Sequence, residues 1–266
     1  MMKLDYCNET ENSKEILIKA KKGEKIFVGI GITLLVIYLL GIILILTFNH
    51  STDLVIAFFI GTIIIMLIIA FIYNSFTLKL INEEISSKVD LYAYINLIIF
   101  YNLRKKHLPM KRKINAYLNI ASAYTYLGNF EKTTSILNYL ETLKLDELSK
   151  AIILENKIAL AFYQDDRDKF NEYSKLLETK ISALNPQVRT AILLSLKTKQ
   201  AVINNDIAYL EEIYNNRKNS VNNLQKSLSI AYLALAYKNT DQNKYKELCK
   251  ELPSESKDLF IIKKLS

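Results

Sequence analysis

Two apolar runs near the start of the chain, residues 26–48 and 54–73, hold no Asp, Glu, Lys, Arg or His and are separated only by Asn49-His50-Ser51-Thr52-Asp53. At about 1.5 Å of rise per residue, helices of this length reach about 35 and 30 Å, enough to cross the hydrocarbon core of a bilayer. A five-residue connector cannot carry the chain back across a membrane. The runs are therefore expected as an antiparallel pair of transmembrane helices (26–48 and 54–73) with residues 49–53 as the external turn. A cleaved signal peptide is disfavoured, because the first run is too long, no small-residue cleavage site follows Phe48, and a second run arrives at once. Six lysines (Lys3, Lys14, Lys19, Lys21, Lys22, Lys25) precede the first run, the connector has no Lys or Arg, and Lys79 and Lys88 follow the second. The positive-inside bias then makes residues 1–25 a cytoplasmic segment and puts both termini in the cytoplasm. With no ionisable group inside either run, the hairpin reads as an anchor and not as the core of a transporter or channel. Gly41 and Gly61 lie seven residues from the connector-side end of their runs. Equal depth predicts a close helix crossing there.

Residues 79–266 carry the whole net charge of +8, because the six lysines before them are balanced by six Asp and Glu. This stretch has one glycine, Gly128, and three prolines, Pro109, Pro186 and Pro253, too few turn residues for a sheet protein. Apolar residues recur at helical spacing, as in Ile114, Tyr117, Leu118, Ala121, Tyr124 and Thr125. No Pro-, Ser- or Gly-rich linker divides it, so one domain is expected.

Within it, INAYLNIASAYTYLGNFEKTTSILNYLETLKLD, from Ile114, places Tyr117, Ile120, Ala121, Tyr124, Gly128, Phe130, Leu137 and Leu140 at the spacing of a tetratricopeptide unit, with Thr133 and Leu145 at the family's usual Ala and Pro positions. The segment resembles that family. The resemblance implies two antiparallel helices turning at Gly128-Asn129, with Ala121 allowing close approach and Tyr124 and Phe130 filling the space between them. Weaker copies follow at Ala159, Phe162, Phe170, Tyr173 and Leu177, and at Ala234, Tyr237, Tyr245, Leu248 and Leu252, each with a turn two residues longer. Between them, residues 188–203 and 207–214 supply a further pair. Residues 80–103 are expected as a preceding helix and 256–265 as a terminal cap. The expected fold is all-α: a two-helix transmembrane hairpin followed by a cytoplasmic TPR-like α-solenoid of about four helix pairs.

Such a solenoid exposes a concave face lined by the first helix of each pair. In the resembled family that face holds an extended peptide or a partner's helix. The corresponding positions here are Asn115, Leu118, Ser122 and Thr125, then Ile153, Asn156, Leu160 and Tyr163, and in the last unit Leu228, Ala231, Leu235 and Lys238. The paired basic and amide residues with which some members clamp a terminal carboxylate are not evident. Internal packing of the stack is the competing use of these side chains.

The basic cluster Arg104, Lys105, Lys106, Lys111, Arg112 and Lys113 is expected as a solvated loop, with anionic membrane lipid or an acidic partner as the functional alternative. A straight helix from Tyr73 would hold it about 45 Å from the membrane. Only a bend near residues 82–90 would bring it back. The apolar stretch at 91–103 is too short to span and is expected as a core helix, in preference to an interfacial one. Cys7 and Cys249 both face a reducing compartment, so no disulfide is expected. His50 and His107 fall on opposite sides of the membrane and cannot share a metal. Asp165, Asp166 and Asp168 read as a turn and helix cap in preference to a cation site. No catalytic group, metal site or cofactor is expected, and no nucleic-acid partner, because the stacking and reading motifs are missing. The Lys, Ile and Asn bias points to an AT-rich bacterial genome and hence to the plasma membrane. The function expected is a membrane-anchored protein–protein interaction scaffold or adaptor recruiting a peptide or protein. The alternative is an accessory or immunity-type membrane protein whose hairpin packs on a transporter or a membrane-active peptide.

Overall fold

The computed structural model describes residues 2–47, 52–104 and 107–265, and these form helices and turns without a strand. Of the residues singled out above, Phe48, Asn49, His50, Ser51, Lys105 and Lys106 lie outside the described residues. Helices α1 (Glu11–Thr47) and α2 (Thr52–Asn82) contain the two apolar runs, and both are long and apolar enough to cross a membrane. Each is longer than its run on the side away from the connector. A reciprocal cap starts α1: the Ser13 amide donates to the Thr10 hydroxyl oxygen (3.0 Å) and the Thr10 amide to the Ser13 hydroxyl oxygen (3.3 Å).

Burial changes sharply along α1. Ile16, Leu17 and Ala20 are buried in a cluster with Ala93, Leu97, Phe100 and Tyr101, whereas from Ile26 onward most large apolar side chains are exposed. The two helices meet where Gly23 faces Phe76 and where Gly41 faces Phe58; a Cβ at Gly41 would fall 2.2 Å from the Phe58 ring. Phe58 in turn stacks on Tyr38 at 5.8 Å between centroids. Gly61, expected at that crossing, has open space around it. The observed register puts Phe58, about one turn nearer the connector, opposite Gly41.

A π-helical turn, Glu83–Ser87, ends α2, and the chain reverses through Val89, whose φ is 52°. A β-branched residue in the left-handed region is strained by about 1–3 kcal/mol. Burial of its side chain and the bond from the Asp90 amide to the Glu84 carbonyl (2.9 Å) hold it there. Asp90 then caps α3 (Leu91–Ile98), which runs on through a second π-turn, Ile99–Leu103, and packs against α1 and α2. The bend that the sequence left open is therefore present. The expected core helix is buried along nearly its whole length.

Four helical hairpins follow: α4 (Met110–Leu127) with α5 (Phe130–Glu141), α6 (Glu147–Tyr163) with α7 (Arg167–Ile181), α8 (Pro186–Ile203) with α9 (Ile207–Arg217), and α10 (Asn223–Tyr237) with α11 (Gln242–Glu251). The turns of the first three share one device, a residue with positive φ followed by a side-chain cap, and the fourth keeps only the cap, Asp241. Gly128 (φ 78°) precedes Asn129, Asp165 (φ 59°) precedes Asp166, and Asn205 (φ 53°) precedes Asp206. The turn of the second pair is thus one residue longer than that of the first, and the turn of the fourth two longer. The acidic run at 165–168 serves as turn and cap, Asp166 accepting from the Lys169 amide at 3.1 Å.

The first helices of successive hairpins lie side by side, α4 on α6, α6 on α8, α8 on α10. The row does not end free. Helix α10 returns to the π-turn, where Asn223 donates to the Ser87 carbonyl (2.7 Å) and Asn222 to the Ser86 hydroxyl oxygen (3.4 Å). Helix α3 closes the circuit against α4, and the short α12 (Phe260–Lys263) spans from α10 to α4.

The extended segment before α1 is part of this core. Cys7 is buried, its amide donates to Asn96 Oδ1 (2.6 Å), and Asn96 Nδ2 donates to the carbonyls of Cys7 (2.8 Å) and Ser13 (2.7 Å). Tyr117 donates to the Met2 carbonyl. Below it, fully buried Glu84 accepts from Lys88 (2.8 Å) and Asn12 (2.8 Å), and Asn12 also reaches Asp90 (2.9 Å).

Candidate functional site

The residues expected on the concave face are brought together, but many are spent on one another. Ser122 donates to Asn156 Oδ1 at 3.0 Å, linking α4 to α6, and the Thr125 hydroxyl donates to the Ala121 carbonyl and lies 3.3 Å from that of Thr133. Tyr163 on α6 and Tyr232 on α10 touch hydroxyl to hydroxyl at 3.3 Å across the circuit. Leu118, Thr125, Ile153, Asn156, Tyr163, Leu228 and Ala231 are buried, while Asn115 is exposed and Ser122, Leu160, Leu235 and Lys238 are half-buried. Closure of the circuit is the physical reason: a row of helices curved back on itself leaves a narrow interior in which facing side chains meet.

That interior is polar at one level. Ser122, Thr125, Tyr126, Glu155, Asn156 and Lys199 surround a cavity of about 150 Å³. Lys199 is 5 % exposed and donates to Ser195 Oγ at 2.6 Å. Burial lowers its pKa below the ordinary lysine value, with the nearby Glu155 carboxylate acting in the opposite sense. Burial raises the phenols: Tyr232 is pushed up to about 12, and Tyr126 and Tyr163 well above the usual range. Sequence reasoning missed Glu155 and Lys199. Both sit on helices whose pattern is dominated by apolar residues, and the register of α8 is ambiguous in the sequence.

A larger cavity of about 390 Å³ opens at the C-terminal ends of α6 and α8. Its walls are Phe162, Tyr163, Phe170, Val202, Ile203 and Leu235, with Asp165, Asp166 and Arg167 on the rim and Ile261 and Lys264 contributed by the last segment of the chain. Lys238, a concave-face position, donates to the Lys264 carbonyl at 2.9 Å. The chain's own last segment thus meets a side chain that the family resemblance assigns to ligand.

The basic cluster is divided. Arg104 reaches back to Glu24 on α1 at 2.6 Å and lies over the Phe100 ring at 4.3 Å, so it stands beside the start of the first apolar run. Lys111 pairs with Asp146 at 3.2 Å, Arg112 is exposed, and Lys113 is buried. Among the described residues no group of His, Cys, Asp and Glu is placed to hold a metal ion. Comparison with family models, with curated proteins and with solved structures finds no match to this chain.

Proposed function

We propose that the chain is a two-pass membrane protein with both termini on the cytoplasmic side, and that its TPR-like helical domain recruits a peptide or protein partner there. The observation that carries this reading is the boundary near Ile26. Before it Ile16, Leu17 and Ala20 are buried in the helical domain and Ile18 alone of the large apolar side chains on α1 is exposed, whereas after it most large apolar side chains of α1 and α2 are exposed; beyond α2, only Met110, Leu176 and Val221 are exposed large apolar residues among the described ones. An apolar surface of that extent is covered by lipid or by another protein. Packing of the segment before α1 against Asn96 and Tyr117 supports one side for both ends. Arg104 beside Glu24 supports a membrane-facing role for that arginine. The helical hairpins, the Gly128-Asn129 turn and the adjacent first helices support the TPR-like reading.

An anchored binding face works by raising the local concentration of weak contacts. The alternative, recognition by the hairpin, is favoured by one observation: Gly29, Gly31 and Gly61 have open space, and a cleft of about 330 Å³ lies between the helices around Gly31, Met66 and Ala70. Photo-crosslinking residues placed at Asn115 and Leu160, or at Gly31 and Gly61, in full-length protein in native membranes separate the two. Adducts from Asn115 and Leu160 are expected; adducts confined to the glycine positions would move recognition into the membrane.

A further inference from the structure

The last segment of the chain does not extend the row of hairpins. After α11 ends at Glu251, Pro253 and a 3-10 turn, Ser254–Ser256, redirect the chain, and the four-residue α12 crosses to α4 and α10. There it is held as a bound peptide would be. The Phe260 ring packs edge-on against Phe130 (4.9 Å) and Tyr163 (5.8 Å) and covers Gly128, where a Cβ would fall 2.4 Å from it. Leu259, Ile261 and Leu265 are buried. Lys264 pairs with Asp165 at 2.7 Å, Tyr245 donates to the Leu265 carbonyl, and Lys238 donates to the carbonyl of Lys264. Two donors directed at main-chain carbonyls read an incoming backbone whatever side chains it bears.

The fit is incomplete. The cavity of about 390 Å³ beside Ile261 and Lys264 is left unfilled, although its walls are apolar and its rim carries two aspartates. A four-residue helix has no stability of its own and stays in place only through these contacts.

We propose that this mouth is a docking site for a partner segment built like residues 259–265, an aromatic residue followed by branched aliphatic residues and a lysine, and that the chain's own segment holds the site until such a partner displaces it. The aromatic residue enters between Phe130 and Tyr163, the aliphatic residues fill the cavity toward Phe170 and Leu235, and the lysine pairs with Asp165. The inference rests on the binding-face reading above and names the class of partner.

The test uses the full chain in detergent and a fluorescent peptide of residues 254–266 as probe, with binding read by anisotropy. In the wild-type chain the site is filled, so weak binding is expected. Phe260→Ala with Lys264→Glu in the chain should release the segment and tighten peptide binding by about tenfold or more; adding Asp165→Lys should remove most of that gain. Equal binding by the wild-type and released chains, with cooperative melting retained in both, would overturn the proposal. So would loss of cooperative melting in both the doubly substituted chain and a Phe260→Ala chain with peptide present, because the segment would then be core. Crosslinks from Asn115 and Leu160 without peptide binding here would overturn this inference alone and leave the adaptor reading standing.

Discussion

Asn96 has no exposed surface and uses both ends of its amide on the segment before α1, with bonds of 2.6, 2.8 and 2.7 Å. Replacing it by leucine keeps the volume but takes the partner of the Cys7 amide and one donor each from the carbonyls of Cys7 and Ser13, the former still accepting from the Ser13 hydroxyl at 3.3 Å. At about 1–3 kcal/mol for a buried group left unsatisfied, Asn96→Leu is expected to cost about 2 kcal/mol in urea or thermal unfolding; a loss under about 0.5 kcal/mol would show that the segment is not docked. Lys199 gives a pH signature. Its folded pKa is lowered by burial, so between that value and the unfolded value near 10.4 the unfolded chain binds more protons, and stability rises with pH across the window. The cost of the buried ammonium is fully present below the folded pKa and gone above the unfolded one. Lys199→Met should therefore stabilise the protein by about 1–3 kcal/mol at pH 7, an advantage that shrinks in melts near pH 10. An advantage independent of pH would assign the cost to packing instead.

At the scale of the helix, the two apolar helices and the helix pairs that follow were legible because each rests on a short-range pattern. Hydropathy alone marks α1 and α2, and the spacing of Ala121, Tyr124, Gly128 and Phe130 marks α4 and α5. Register was less legible. Depth counted from the connector pairs Gly41 with Gly61, whereas the structure pairs Gly41 with Phe58, and the discrepancy of about one turn comes from ring packing that no single-residue pattern encodes. Gly41→Leu is accordingly expected to push Phe58 off Tyr38 and weaken helix pairing, while Gly61→Leu meets open space. Cysteine pairs introduced near the connector, scored for disulfide yield, check this; equal yields in both variants would refute the crossing. The row of first helices was half legible: the positions proposed as a binding face follow from the resemblance, but the closing contacts from α10 to residues 86 and 87 and from α12 to α4 join parts of the chain far apart in sequence. Such contacts rest on a few polar atoms and one aromatic ring and leave no periodic trace.

For the molecule as a whole, the helical domain does not begin after the hairpin. Residues 2–13 supply Cys7 to its core, and residues 16–20 cover Ala93, Leu97 and Phe100. A soluble fragment starting at Lys79 is expected to aggregate or to melt well below the full chain. Fusing residues 1–25 ahead of residue 74 through a short flexible linker should restore cooperative melting. Equal melts for both fragments would show that the segment is dispensable.

The same stitch has a meaning for assembly. Met2 to Ser13 leave the ribosome before the hairpin, yet their partners, Asn96, Tyr117 and Tyr124, come after it. On the proposed topology the seam can close only if the segment and the domain end up on the same face of the bilayer. A chain that translocates its first residues leaves Asn96 bare and the domain incomplete. On that topology the docking of these twelve residues would double as a check on membrane orientation, presenting wrongly inserted copies to cellular quality control as unfolded protein.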